Sequence, residues 1–199
     1  MARRLIGTAV TDANGEATIT YTGTGAGQLN VVAESGTFVS ETYSIHDCLF
    51  ADRGDGTLNS NWGWYNTTGS ASITSNGISI SNTGSVFGVF YADDPNKTGR
   101  YDWETPHCVE FDVVSSTDFS KALIYYFDGN YQGFINSFSN FNIQNGSHVK
   151  IVNTGERVEL FVDGVSKQAS NRSMTPDWVG FRLNSGGDLV FKNFEIYPI

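Results

Sequence analysis

Apolar and polar residues alternate along much of this chain, and no long stretch repeats apolar residues at the three- and four-residue spacing of a helix face. Alternation with period two marks strands that bury one face. The runs 48–52, 71–74, 78–81, 86–91, 108–114, 122–127, 133–136, 148–153, 157–162, 178–183 and 189–197 read as strands at the spacing of a β-sandwich. In the last run, strict alternation puts Leu189, Phe191, Asn193, Glu195 and Tyr197 on one face. Val190, Lys192, Phe194 and Ile196 take the other. Asp163-Gly164 is a strong two-residue turn signal, and Asn153-Thr154-Gly155-Glu156 marks a second hairpin. Before residue 46, the runs 15–21, 27–33 and 39–45 read as further strands, separated by glycine- and asparagine-rich turns.

Composition agrees with an all-β chain. Twenty-two glycines, fourteen phenylalanines and nine tyrosines stand against four prolines and two methionines. Aromatic residues suit pleated surfaces, and glycine supplies the turns between them. The net charge of −9 argues against a nucleic-acid partner, which needs a basic face to displace counterions. It argues equally against adsorption to anionic lipid. No apolar run approaches the roughly 20 residues of a membrane span. The basic start Met1-Ala2-Arg3-Arg4 has no apolar stretch after it, so it does not read as a signal peptide. The expectation is a fragment of an exported protein, or one that reaches its site by another route, as virion proteins do. Cys48 and Cys108 are either buried thiols or a single disulfide.

The first 45 residues hold four strands at most, whereas an immunoglobulin-like sandwich needs about seven. Such a segment cannot bury both faces alone, so the expectation is that it leans on the next domain, on another chain or on a missing N-terminal partner. The stretch from Thr11-Asp12-Ala13-Asn14-Gly15 through Gly27-Gln28-Leu29-Asn30-Val31-Val32-Ala33 resembles the C-terminal half of bacterial Ig-like repeats of invasin- and adhesin-type proteins. That resemblance implies a spacer.

Residues 46–199 resemble the concanavalin A-like/laminin-G-like superfamily, an antiparallel jelly-roll β-sandwich. The residues that carry the likeness are Leu49-Phe50-Ala51-Asp52, Val109-Glu110-Phe111-Asp112-Val113, Val158-Glu159-Leu160-Phe161-Val162-Asp163-Gly164, and Val179-Gly180-Phe181-Arg182-Leu183 with the closing run 189–197. The order of the two segments resembles adhesin-like surface proteins of methanogenic archaea and structural or receptor-binding proteins of their viruses.

The superfamily includes glycoside hydrolases, which carry Glu-x-Asp-x-(x)-Glu on one strand. Here Glu110-Phe111-Asp112 has the first two acids, but no third acid follows at Val114 or in Ser115-Ser116. The reading is therefore no enzyme. His46, His107 and His148 are scattered and read as strand-end or surface residues. The loop from Asp52 to Asn59 offers carboxylate and amide oxygens from Asp52, Asp55 and Asn59, a possible structural calcium site or else a solvated turn. The aromatic loops are the main functional clue. Trp64, Tyr65, Tyr126 and Tyr131 can stack on the apolar faces of sugars, with Asp128 and Asn130 reading hydroxyls. The sequence thus predicts a non-catalytic binding module for a cell-wall or surface glycan. Its setting would be extracellular, on a cell surface or a virion, in an adhesin or viral fibre. The alternative is a structural fibre or decoration subunit that forms a homo-oligomer through the half Ig-like segment.

Overall fold

The alternating runs form strands nearly where their spacing placed them. The structure is a computed structural model that describes residues 8, 10, 28–31, 34–35, 38–39, 43–46, 49–66, 68–92, 106–128, 132–171, 176 and 178–199, with backbone alone for 28–46, 127–128 and 132–135. In chain order its strands are β1 (Gln28–Val31), β2 (Glu34–Ser35), β3 (Phe38–Val39), β4 (Tyr43–His46), β5 (Phe50–Asp52), β6 (Trp62–Tyr65), β7 (Gly69–Thr74), β8 (Gly77–Asn82), β9 (Gly88–Ala92), β10 (His107–Ser115), β11 (Ala122–Asp128), β12 (Gln132–Ser137), β13 (His148–Asn153), β14 (Val158–Val162), β15 (Val165–Ser170), β16 (Trp178–Leu183) and β17 (Asp188–Pro198). A single 3-10 turn, Phe138–Phe141, is the only helical element among the described residues. No helix among them is long and apolar enough to cross a membrane.

Two antiparallel sheets make the sandwich. The larger runs β15-β14-β13-β10-β17-β8-β7, with β5 also paired to β17. The smaller runs β12-β11-β16-β9-β6. Ahead of them, β1 pairs with β4 and β2 with β3, as two nested hairpins. The predicted run 15–21 lies outside the described residues, as does Cys48. Cys108 is buried in β10, and burial pushes its thiol pKa up.

Phenylalanines at inward positions of both sheets meet one another in the core, among valines, isoleucines and leucines. Phe181 of the smaller sheet meets Phe191 and Phe111 of the larger one, with ring centroids 4.4 and 4.9 Å apart. Trp62 stacks on Phe90 at 4.4 Å and reaches Phe191 and Phe194 edge-on. Each fully buried phenylalanine contributes roughly 2 kcal/mol of transfer free energy.

Three readings change. The segment around Trp62 and Trp64 is a strand, β6, not an aromatic loop. Its inward rings alternate with Gly63 and Tyr65. The edge strand β15 is almost wholly polar or exposed, and carries no alternation to find. In β17 the strict alternation breaks at Asn193, whose φ is 53°. This bulge lets Lys192 and Asn193 both face solvent. Leu189, Phe191, Phe194 and Ile196 all point to the core, each 0% exposed, and Glu195 and Tyr197 leave it for the outer face. The Asp163-Gly164 turn has φ of 51° and 74°, the two positive values of a tight hairpin turn, and closes Val162 onto Val165.

Candidate functional site

With apolar residues turned inward, the outer faces of the two sheets display what remains. On the smaller sheet the register sets Tyr65 of β6 across from Val89 of β9, and Gly63 across from Tyr91. Tyr91 and Tyr125 flank Gly180 of β16 from either side. Trp178 lies on the same face, two residues before that glycine. Its indole meets Tyr91 at 4.7 Å and Tyr65 at 5.6 Å between centroids, edge-on in both cases. Tyr65 is 50% exposed, and Tyr91, Trp178 and Tyr125 are half-buried. Gly180 is required where it stands. A β-carbon on Gly180 would lie 2.2 Å from the Phe90 carbonyl oxygen, so close do β9 and β16 run. The result is a cluster of rings on a flat sheet face, bordered by Arg182, whose guanidinium carbon sits 4.0 Å from the Phe87 ring centroid.

Of the residues named from sequence as ligand-binding, Tyr65 belongs to this face. Trp64 does not: it points inward, packs on Phe90 at 5.0 Å, and is closely approached by Gly69 and Gly88. Tyr126 does not either. It is 0% exposed, so no sugar can reach its ring. Its hydroxyl accepts a hydrogen bond from Asn153 Nδ2 at 2.7 Å and meets His107 Nε2 at 2.8 Å. Burial drives the Tyr126 pKa far upward. His107, also 0% exposed, is thus a core histidine rather than a surface one. The backbone of Asp128 pairs with Gln132 in β11–β12. Asn130 and Tyr131 lie outside the described residues. Tyr91, Trp178 and Tyr125 were missed. Each occupies an outward position of a run already read as a strand, so alternation alone could have found them.

The loop that suggested calcium is held by hydrogen bonds. Asp52 is buried, and its Oδ1 accepts the Gly54 N–H at 3.0 Å. Its Oδ2 accepts the Asn59 N–H and the Trp62 indole N–H, both at 2.8 Å. Asn59 Oδ1 accepts the Asn61 N–H, and Asp55 is exposed. The donor set does not fit a cation well: both carboxylate oxygens already face N–H groups, whose positive ends occupy the places a metal would need. No group of three or more His, Cys, Asp or Glu suited to a metal occurs among the described residues.

On the outer face of the larger sheet, the two candidate hydrolase acids enter a polar network. Glu110 Oε1 receives Lys150 Nζ at 2.5 Å and the Tyr197 hydroxyl. His148 lies between the acids, with Nδ1 2.8 Å from Asp112 Oδ1 and Nε2 3.7 Å from Glu110 Oε2. Asn193 Nδ2 donates to Asp112 Oδ2 at 2.7 Å. Burial works to raise the Glu110 pKa. The bonds from Lys150 and Tyr197 and the charges of Lys150 and His148 outweigh it, and hold Glu110 below its ordinary value. The Tyr197 hydroxyl is pushed far up by burial first, then by its bond to that carboxylate. Glu110 is therefore a poor proton donor. Ser116, near the missing third acid, is bonded to the Asp188 carbonyl.

No protein-family profile matches the sequence, and no curated protein does. Solved structures are similar in fold. A sialidase aligns over 78% of this chain with 13% identity and a TM-score of 0.52, and the chain spans 19% of that protein's length. The carbohydrate-binding module CBM66 from Bacillus subtilis aligns over 71% of this chain and 99% of its own, with 13% identity and a TM-score of 0.46. A Bacillus subtilis protein of galectin-like fold aligns over 75% of this chain and 95% of its own, at 10% identity and 0.46. At these identities the likeness is one of fold, an antiparallel β-sandwich.

Proposed function

We propose that this chain is a non-catalytic glycan-binding module, and that the sugar lies on the outer face of the smaller sheet. The observation that carries this reading is the ring cluster of Tyr65, Trp178 and Tyr91 on a strand-borne, partly exposed surface. Aromatic rings offer large, rigid contact area with little entropy to lose, and their faces suit the C–H faces of sugars. Sheet strands hold such a site more firmly than loops do. The missing third acid of the hydrolase pattern after Glu110 and Asp112 supports the absence of hydrolysis. In this reading the module belongs to an adhesin or viral fibre outside the cell, with the Ig-like half-segment as its spacer.

The test is a glycan array probed with the folded protein, alone and clustered to raise avidity. The expected result is binding to a defined set of surface glycans, lost in Trp178→Ala. A folded protein with no hit on a broad array overturns the proposal. So does glycoside turnover that Glu110→Gln abolishes.

A further inference from the structure

We infer that the glycan held on this face carries a single anionic group, received by Arg182. This rests on the glycan reading above and specifies its ligand class. Arg182 stands at the outer face of β16 in an apolar setting. Its cross-strand partners Val89 and Leu123 are 1% and 9% exposed, and its guanidinium lies on the Phe87 ring. Its Nε is buried and has no hydrogen-bond partner. Three other cations of the described surface meet carboxylates: Lys150 meets Glu110, Arg157 meets Glu159 and Lys121 meets Asp118. No acid among the described residues pairs with Arg182. Burying the Nε–H without an acceptor is unfavourable, and stacking on one ring offsets only part of that cost. A ligand anion supplies the missing partner, because the planar fork of arginine matches a carboxylate or sulfate with paired hydrogen bonds.

The placement joins this cation to the rings. Tyr65 and Arg182 are both direct cross-strand partners of Val89, so their Cα atoms stand about 10 Å apart across the sheet. Trp178 and Arg182 share the outer face of β16, separated only by Gly180, which has no side chain to stand between them. A sugar against Trp178 and Tyr65 thus brings a ring substituent toward the guanidinium. The net charge of −9 limits the class further. The field of the whole chain repels polyanions, so the match is a sugar with one acidic group rather than a densely charged polymer.

Matched pairs of oligosaccharides test this: sialyllactose against lactose, a galacturonic-acid trimer against a galactose trimer, and 6-sulfated against unsulfated N-acetyllactosamine. Affinities are measured by calorimetry on wild type, Arg182→Gln, Arg182→Lys and Trp178→Ala. The expected result is at least tenfold preference for the acidic member of one pair. That ratio collapses toward one in Arg182→Gln and is partly kept in Arg182→Lys; the pair that responds tells carboxylate from sulfate. Equal binding of acidic and neutral members by wild type overturns the role of Arg182 while leaving the glycan reading standing. A preference that survives in Arg182→Gln has the same meaning. Should Arg182→Gln fail to fold, the wild-type ratio and Arg182→Lys still decide. Binding of no pair member by wild type overturns the role of Arg182, and the glycan reading is then decided by the broad array.

Discussion

The ring of Tyr91 lies across Gly63, close enough that a β-carbon on that glycine would fall 2.5 Å from the ring's Cζ. The contact is with the far end of a side chain, which can swing away. Gly63→Ala is therefore expected to keep the fold at a cost of about 1 kcal/mol, while displacing Tyr91 and weakening glycan binding severalfold. At Gly180 the obstacle is the Phe90 carbonyl oxygen at 2.2 Å, which belongs to a paired strand. Gly180→Ala must part β9 from β16, at an expected cost above about 3 kcal/mol. Paired thermal melts and binding titrations distinguish the two. Equal destabilisation would mean that the glycines do not play these separate parts.

The buried Tyr126 hydroxyl joins β11 to β10 and β13 through His107 and Asn153. Tyr126→Phe removes one oxygen and leaves two buried polar atoms without this partner. The expected loss is about 1–3 kcal/mol in urea unfolding, with glycan affinity unchanged because the residue is far from solvent. A stability change near zero would show that the network is not needed to seat the strands.

These two cases show how far the sequence was legible. Strand positions followed from alternation, and the Asp163-Gly164 turn from the need for two positive φ values. Which face a residue takes depends on register, and one bulge reverses it. Asn193 does so in β17, where uninterrupted alternation would have buried Glu195 and exposed Phe194 and Ile196. Tyr126 looked like a binding residue because tyrosine suits both surface and core; its partners His107 and Asn153 come from 19 and 27 residues away. Trp178 and Arg182 lay on one strand face in plain alternation, but nothing in the sequence paired that face with Tyr65.

Asp52 anchors the loop into β6. Its two oxygens receive three N–H donors, from Gly54, Asn59 and Trp62. Asp52→Asn keeps the shape but must turn an NH2 group toward at least one of them. The expected cost is about 2 kcal/mol, and the melting temperature of wild type should not respond to calcium or to a chelator. A calcium-dependent rise in the wild-type melting temperature that Asp52→Asn removes would restore the metal reading.

Glu110 gives the fold an acid-sensitive contribution. Its pKa is lowered in the folded state: burial opposes ionisation, but Lys150, Tyr197 and His148 together favour it more. A depressed carboxylate pKa stabilises the fold fully above the unfolded value of about 4.3 and loses that contribution as pH falls through the folded value. In Glu110→Gln this dependence disappears. At neutral pH the variant is expected to lose up to about 1 kcal/mol, since the pair with Lys150 is partly exposed. As pH falls from about 5 toward 3, the wild-type advantage should shrink and the two stability curves converge. Denaturant titrations across that range measure the gap directly. A gap that stays constant with pH would mean that the Lys150, Tyr197 and His148 contacts do not favour the ionised Glu110 in the folded protein.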